Sequence, residues 1–185
     1  MKLIALLMAL FSFNAASLEY SLEIAQNQTT MEWKGVSNAK YVYRLKTIGA
    51  VVYHESGFGV RASYGKGRAT LPNPGAVHTD LIIELKSAID LELLYRHRLY
   101  GETYAYWGGG YFWDHLPITS NKNDYSKDDH DNGVGASIGI EHKMNKYSSV
   151  FANYRVRNII GPNAKHNGAL GSSHTSFGVG IKLTF

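Results

Sequence analysis

From Leu81 to Arg98, apolar and charged residues alternate. Leu81, Ile83, Leu85, Ile89, Leu91, Leu93 and Tyr95 take one parity, and Glu84, Lys86, Asp90, Glu92, Arg96 and Arg98 take the other. A helix of this sequence would scatter its charges all round, whereas an extended strand sorts them onto two faces. The same period of two recurs along the chain. Leu22 and Ile24 alternate with Glu23 and Ala25 in a short first strand. Between Lys40 and Tyr53 the odd positions Tyr41, Tyr43, Leu45, Val51 and Tyr53 oppose Arg44 and Lys46. Phe58, Val60, Ala62 and Tyr64 oppose Arg61 and Ser63; Val134, Ala136, Ile138 and Ile140 oppose Ser137, Glu141 and Lys143. Val150, Ala152, Tyr154 and Val156 oppose Arg155 and Arg157, and in the last segment Phe177, Val179, Ile181, Leu183 and Phe185 oppose Ser176 and Lys182. Thr103 to Trp113 is aromatic and glycine-rich; Trp107 and Trp113 share a parity, but the sequence does not fix which face is outside. The pattern predicts eight antiparallel strands.

The intervening stretches are of two kinds. His54–Gly57, Leu99–Glu102 and Asn145–Tyr147 read as tight turns, and Asn27–Ala39, Lys66–His78, Asp114–Asp131 and Gly161–Ser172 as long polar loops that hold all four prolines. Short and long connections alternate, at about 3 or 4 residues against about 12 to 18, as short periplasmic turns and long external loops do in transmembrane barrels.

Met1 to Ser17 carries Lys2, an apolar run from Leu3 to Phe13, and small residues that allow cleavage after Ala16 or Ser17. This reads as a secretory signal, leaving one domain over 18–185. No later segment has the 18 or so apolar residues of a spanning helix, so a membrane form of this chain crosses with strands. The absence of cysteine excludes disulfides, thiolate metal sites, a cysteine nucleophile and a lipoprotein anchor. A formal charge of +4, scattered over alternating segments, shows no nucleic-acid footprint.

The fold expected is all-β: an eight-stranded antiparallel up-and-down transmembrane barrel with its apolar parity toward lipid. Eight strands leave an interior that side chains fill. Arg44, Lys46, Arg61, Glu84, Lys86, Asp90, Glu92, Arg96, Glu141, Lys143, Arg155, Arg157 and Lys182 are expected there as an ion-paired plug. Tyr53, Tyr95, Tyr147 and Phe185 are expected as an aromatic girdle at the short-turn rim, with His97 and His142 on the lipid parity nearby. A soluble sandwich or lipocalin-like barrel shares the period of two, with the apolar parity turned inward.

The ending Gly180, Leu183, Phe185 resembles the carboxy-terminal assembly signal of bacterial outer-membrane barrels, although Gly178 stands where a polar residue is usual. With the signal segment, the alternating strands and the loop asymmetry, the whole mature chain resembles the small eight-stranded barrels of the OmpX, Ail and OmpA-barrel type. The resemblance implies residence in the outer membrane, handling by periplasmic chaperones and the outer-membrane insertion machinery, and contact with lipopolysaccharide. It implies a non-enzymatic role in envelope integrity or surface adhesion, with a host or matrix ligand at the loops. Trp33, Lys66, Arg68, the acidic cluster Asp124, Asp128, Asp129 and Asp131, and Lys165 are the residues expected to be exposed there.

Two chemical alternatives arise. His174 and Ser176 form an H-x-S that resembles part of the lipid A deacylase motif, but Phe177 replaces its Asn and the register turns both residues inward. A nucleophile needs a base, an orienting group and access to substrate. The acidic cluster could bridge cations, yet an EF-hand reading from Asp128 places Gly139 where the closing glutamate belongs. No cofactor and no metal is expected. A minor porin is the remaining alternative, disfavoured by the strand number.

Overall fold

The computed structural model describes residues 18–32, 40–70, 81–120, 126–160 and 173–185. The signal segment 1–17, Trp33, Asp124 and Lys165 lie outside the described residues. Eight strands, β1 (Leu18–Glu32), β2 (Lys40–His54), β3 (Phe58–Thr70), β4 (Leu81–Tyr100), β5 (Thr103–Ser120), β6 (Ser126–Asn145), β7 (Ser148–Ile159) and β8 (Ser173–Thr184), pair in chain order. β1 also pairs with β8, which closes the barrel. Closure gives every strand two neighbours and leaves no edge.

Three tight connections, at 55–57, 101–102 and 146–147, mark one end of the barrel. Gly57 and Gly101 sit in two of them at φ 91° and 54°, a region that only glycine enters cheaply. The chain ends meet at this same rim: Leu18 faces His54, and the Phe185 amide donates to the Tyr20 carbonyl at 3.0 Å.

The strands run further than the apolar alternation does. β1 continues to Glu32, β3 to Thr70, and β5 and β6 pair up to Thr119–Ser126, so much of Asn27–Ala39, Lys66–His78 and Asp114–Asp131 is ladder instead of loop. Pro117 lies within β5, opposite Asp128. The physical reason is that each added rung satisfies backbone groups whatever surrounds it, so pairing outlasts the hydrophobic pattern. A spanning strand needs only about 9 to 11 residues. The 20 of β4 and of β6 therefore carry the sheet beyond a bilayer.

The two faces differ in kind. Ile24, Ile48, Leu91, Leu93, Trp107, Ile138, Tyr154 and Val179 are exposed on the outer wall, while Glu23, Arg61, Asp90, Glu92, Glu141, Arg155, Arg157 and Lys182 are buried inside. This inversion rules out the soluble reading, whose greasy parity would be enclosed. At the short-turn rim, Tyr20, Phe58, Tyr147 and Phe185 are exposed, and Tyr95 packs between Phe58 and Trp107 at ring separations of 5.0 and 5.1 Å. His97 and His142 are exposed near this rim.

Two strands depart from the expected sidedness. In β2 the odd positions point inward: Leu45, Val51 and Tyr53 are buried, and Arg44 and Lys46 are exposed on the outer wall. Both faces of β2 are apolar toward His54, Val51 and Tyr53 on one and Ile48, Ala50 and Val52 on the other, so hydropathy alone does not choose. Pairing chooses: Val51 faces Arg61, and residues directly opposite across an antiparallel ladder share a face. Tyr53 consequently belongs to the lumen, not to the outer girdle.

In β4 an extra residue interrupts the ladder. Gly65 pairs with Ala88 but Gly67 with Leu85, and the β5 ladder shifts between Ile83 and Ser87. A bulge of this kind switches the face of everything beyond it. Leu85 is therefore buried, Lys86 exposed, and Glu84 half-exposed on the outer parity, whereas Asp90 and Glu92 keep their inward direction.

Candidate functional site: the ion-paired lumen and the outer wall

Apart from the β4 bulge, alternate described residues of each strand enter the lumen, and the ladder places opposite charges side by side. Arg61 on β3 faces Glu92 on β4 directly. Its Nε donates to Glu92 Oε2 at 2.7 Å, its Nη2 reaches Ser137 Oγ at 3.3 Å, and its Nη1 lies 3.8 Å from Glu23 Oε2. Glu92 also meets Arg155 at 3.5 Å; Arg155 meets Asp90 at 3.3 Å; Arg157 grips both Asp90 oxygens at 2.5 and 2.6 Å and reaches Asp114 at 3.4 Å.

Toward the short turns the alternation of sign continues. Glu23 contacts Lys182 at 3.4 Å, Lys182 donates to Glu141 at 2.5 Å, and Glu141 lies 3.9 Å from Arg96. Arg96 is bidentate on Glu19 at 2.5 and 3.2 Å, and Lys143 closes on Glu19 at 2.7 Å. From Lys143 to Asp114 the ions thus form one unbroken chain in which each cation after the terminal Lys143 lies between anions and each anion beside a cation. Taking an isolated ion out of water costs several kcal/mol; a chain of contacts offsets that cost at each link.

Aromatic rings fill what the ions leave. Arg96 lies 4.2 Å over Tyr53, Lys182 5.1 Å over the same ring, Arg61 5.6 Å over Tyr106, and Arg157 5.2 Å over Phe112. The space beside Asp90, Glu92, Phe112, Arg155 and Arg157 is about 10 Å³. That is about the room of one water molecule.

Of the residues expected inside, Arg61, Asp90, Glu92, Arg96, Glu141, Lys143, Arg155, Arg157 and Lys182 are brought together in this chain. Arg44, Lys46, Glu84 and Lys86 are outside it. Glu19, Glu23 and Asp114 were not among the expected members. Glu23 already had the right parity in the sequence, but the first strand was too short to draw attention to it, and Asp114 was hidden in an apparent loop. Asp131 is buried in the lumen instead of exposed.

His174 and Ser176 are both buried in the lumen near the end away from the short turns. Ser176 Oγ accepts a hydrogen bond from Thr29 at 3.0 Å. Neither ring nitrogen of His174 is hydrogen-bonded, and Asp114 Oδ2 stands 4.0 Å from its Nδ1. No hydrogen bond joins this histidine to this serine, and both point away from lipid, so the pair lacks both the base contact and the substrate access of a nucleophile. Among the described residues no group of three His, Cys, Asp or Glu is arranged to hold a metal.

Of the assembly-signal residues, Leu183 and Phe185 are exposed on the outer wall, and Gly180 packs where a Cβ would stand 2.7 Å from the Phe151 ring.

No family model matches the sequence, and no curated protein is similar to it by sequence. Comparison of the fold with solved structures finds small outer-membrane barrels. Neisserial surface protein A superposes with a TM-score of 0.63 at 13% identity, covering 91% of this chain and 97% of that one. Ail of Yersinia pestis, solved in complex with the heparin analogue sucrose octasulfate, gives 0.58 at 13% identity over 91% of this chain and 99% of its own. The amino-terminal β-barrel domain of Pseudomonas aeruginosa OprF gives 0.56 at 12% identity over 89% and 97%. The chain therefore has the fold of the eight-stranded outer-membrane barrels, and its inside-out wall is suited to a bilayer.

Proposed function

We propose that this protein is a non-enzymatic resident of the bacterial outer membrane that acts at the cell surface, in adhesion or envelope integrity, through the end of the barrel opposite its short turns. The observation that carries the reading is the filled lumen. Among the described residues a continuous chain of ions from Lys143 to Asp114, packed with Tyr53, Tyr106 and Phe112, fills the lumen, and the space beside Asp90 and Arg157 is no larger than about one water molecule. Transport through the barrel is thereby disfavoured, and the buried, unconnected His174 and Ser176 disfavour hydrolysis. What remains available to partners is the outside: the projecting ends of the strands and the lipid-facing wall.

Lipopolysaccharide, periplasmic chaperones and the outer-membrane insertion machinery are the partners this reading implies in the envelope, with a host or matrix ligand at the projecting end. Ail's complex with a heparin analogue supports a polyanionic glycan as one such ligand. The test is deletion of residues 71–80 and 161–172, followed by whole-cell binding to host-cell and heparan sulfate surfaces. Loss of binding with the barrel intact supports the surface reading. Two results overturn it: binding that survives deletion, or lipid A that loses an acyl chain only when the intact protein is present.

A further inference from the structure

The cations that leave the lumen do not scatter over the outer wall; they stack. On the outward face Ile48, Tyr64 and Ile89 form the last apolar rung across β2, β3 and β4. On the next outward rung Lys46 stands directly opposite Lys66, and on the one after it Arg44 stands opposite Arg68. All four are exposed. Gln26 and Gln28 of β1 extend the same two rungs on one side, and exposed Lys86 lies beyond them on β4.

Residues facing each other across an antiparallel ladder are about 5 Å apart, and successive residues on one face of a strand about 7 Å. Four cationic side chains thus spring from a patch of that size. Like charges directly opposite one another destabilise a sheet. Among the described residues no carboxylate closes an ion pair with any of the four; Glu84 faces Arg68 in register but makes none. In the lumen the same chain pairs its cations with acids, so the double like-charged rung here calls for an anion from outside. Arginine forks and lysine point charges side by side suit phosphate oxygens.

The position of the patch selects the phosphate's carrier. It begins beyond the rung of Ile48, Tyr64 and Ile89, toward the end opposite the short turns, which is the external side in barrels of this class. Tyr64 marks the boundary, half-exposed, with Lys66 Nζ 5.7 Å from its ring centroid. Tyrosine rings favour this headgroup level. A ligand held here has its anionic head on the four cations and its chains against Ile48, Tyr64 and Ile89.

We propose that Arg44, Lys46, Lys66 and Arg68 form a site on the outer wall for the phosphates of a phosphorylated glycolipid of the outer leaflet. This rests on the outer-membrane reading above and names the lipid contact within it. The test titrates the refolded full-length barrel in neutral micelles with diphosphoryl lipid A, dephosphorylated lipid A and inorganic pyrophosphate, read by native mass spectrometry. Diphosphoryl lipid A is expected to bind, and either double variant, K46Q/K66Q or R44Q/R68Q, to weaken it by about tenfold or more. K146Q, at the short-turn end, removes a charge without touching the site and is expected to bind as the parent does. Because the double variants relieve like-charge repulsion, they are expected to keep heat-modifiable migration. Rising salt is expected to weaken the parent's binding, which checks the site without any substitution.

Equal binding of dephosphorylated lipid A overturns the proposal, as does equal binding by the double variants, or pyrophosphate binding as tight as that of the lipid. A parent chain without heat-modifiable migration sinks the membrane reading itself. Unchanged lipid binding by intact barrels sinks this inference alone.

Discussion

Arg61 and Glu92 face each other across the β3–β4 ladder, and the guanidinium meets one carboxylate oxygen through both Nε and Nη2, at 2.7 and 2.5 Å. Both side chains are buried, and Glu23 and Arg155 are the next ions on either side. Removing one partner of a buried pair leaves an uncompensated charge, at a cost of about 3–5 kcal/mol, whereas replacing both is far milder. Arg61→Met is therefore expected to lose about that much in urea unfolding from micelles. Adding Glu92→Gln is expected to recover a large part of it. A double variant no more stable than Arg61→Met would show that the ions act separately rather than as a chain.

Tyr53 and Gly59 are cross-strand neighbours at the base of the barrel, and the ring lies over the glycine. A Cβ on Gly59 would stand 2.5 Å from Tyr53 Cδ1 and 2.7 Å from the Val52 carbonyl. Relief by the ring alone would strip Arg96 and Lys182 of the aromatic face they share. Gly59→Val is expected to destabilise the barrel by about 1–3 kcal/mol, the usual range for overpacking. Tyr53→Ala in the same chain is expected to reduce the penalty of the valine. Additive losses in this cycle would place the strain in the backbone instead of the ring.

The outer wall makes the converse prediction. Ile138 on β6 is exposed, flanked across its ladders by Trp107 and Tyr154. A lysine or arginine near the bilayer midplane costs about 2–4 kcal/mol. Ile138→Lys is expected to show that loss in lipid vesicles, and Ile138→Val almost none. Equal stability of the two in vesicles would mean that this wall does not face hydrocarbon.

How much of this fold is legible in the sequence depends on which physical signal a residue carries. In β3 and β7 the charged residues Arg61, Arg155 and Arg157 alternate with apolar ones, so parity alone gave both strand and face. In β2 the contrast of Arg44 and Lys46 with Leu45 pointed the wrong way, because those cations sit on the outer wall, and toward His54 Val51 and Tyr53 are as apolar as Ile48 and Val52, so nothing there corrected the parity. In β4 the signal was strong but changed phase: the bulge between Ile83 and Ser87 is invisible to a period of two, which reads Lys86 as continuous with Asp90. Asp114 and Asp131 were lost for a third reason. They pair beyond the apolar belt, where a polar sequence is equally consistent with ladder and loop.

The Arg98–Glu102 ion pair stands outside the chain and should behave differently. Arg98 and Glu102 meet at 3.2 Å beside the turn that contains Gly101, with side chains 60% and 56% exposed. Lys182 and Glu141 meet at 2.5 Å with side chains 1% and 0% exposed. Exposed pairs contribute less than about 1 kcal/mol and are screened by salt, while buried ones are screened little. Arg98→Ala is therefore expected to shift the unfolding midpoint slightly at low salt and not at all in 1 M salt, where the Debye length is about threefold shorter than at 0.1 M. Lys182→Met leaves Glu141 with Ser149 as its close partner and Arg96 at 3.9 Å, and is expected to cost about 3–5 kcal/mol at either salt concentration. Unfolding in urea at the two salt concentrations measures both. A strong salt dependence of the Lys182→Met penalty would mean that water and ions reach the lumen, and the closed-barrel account would fall with it.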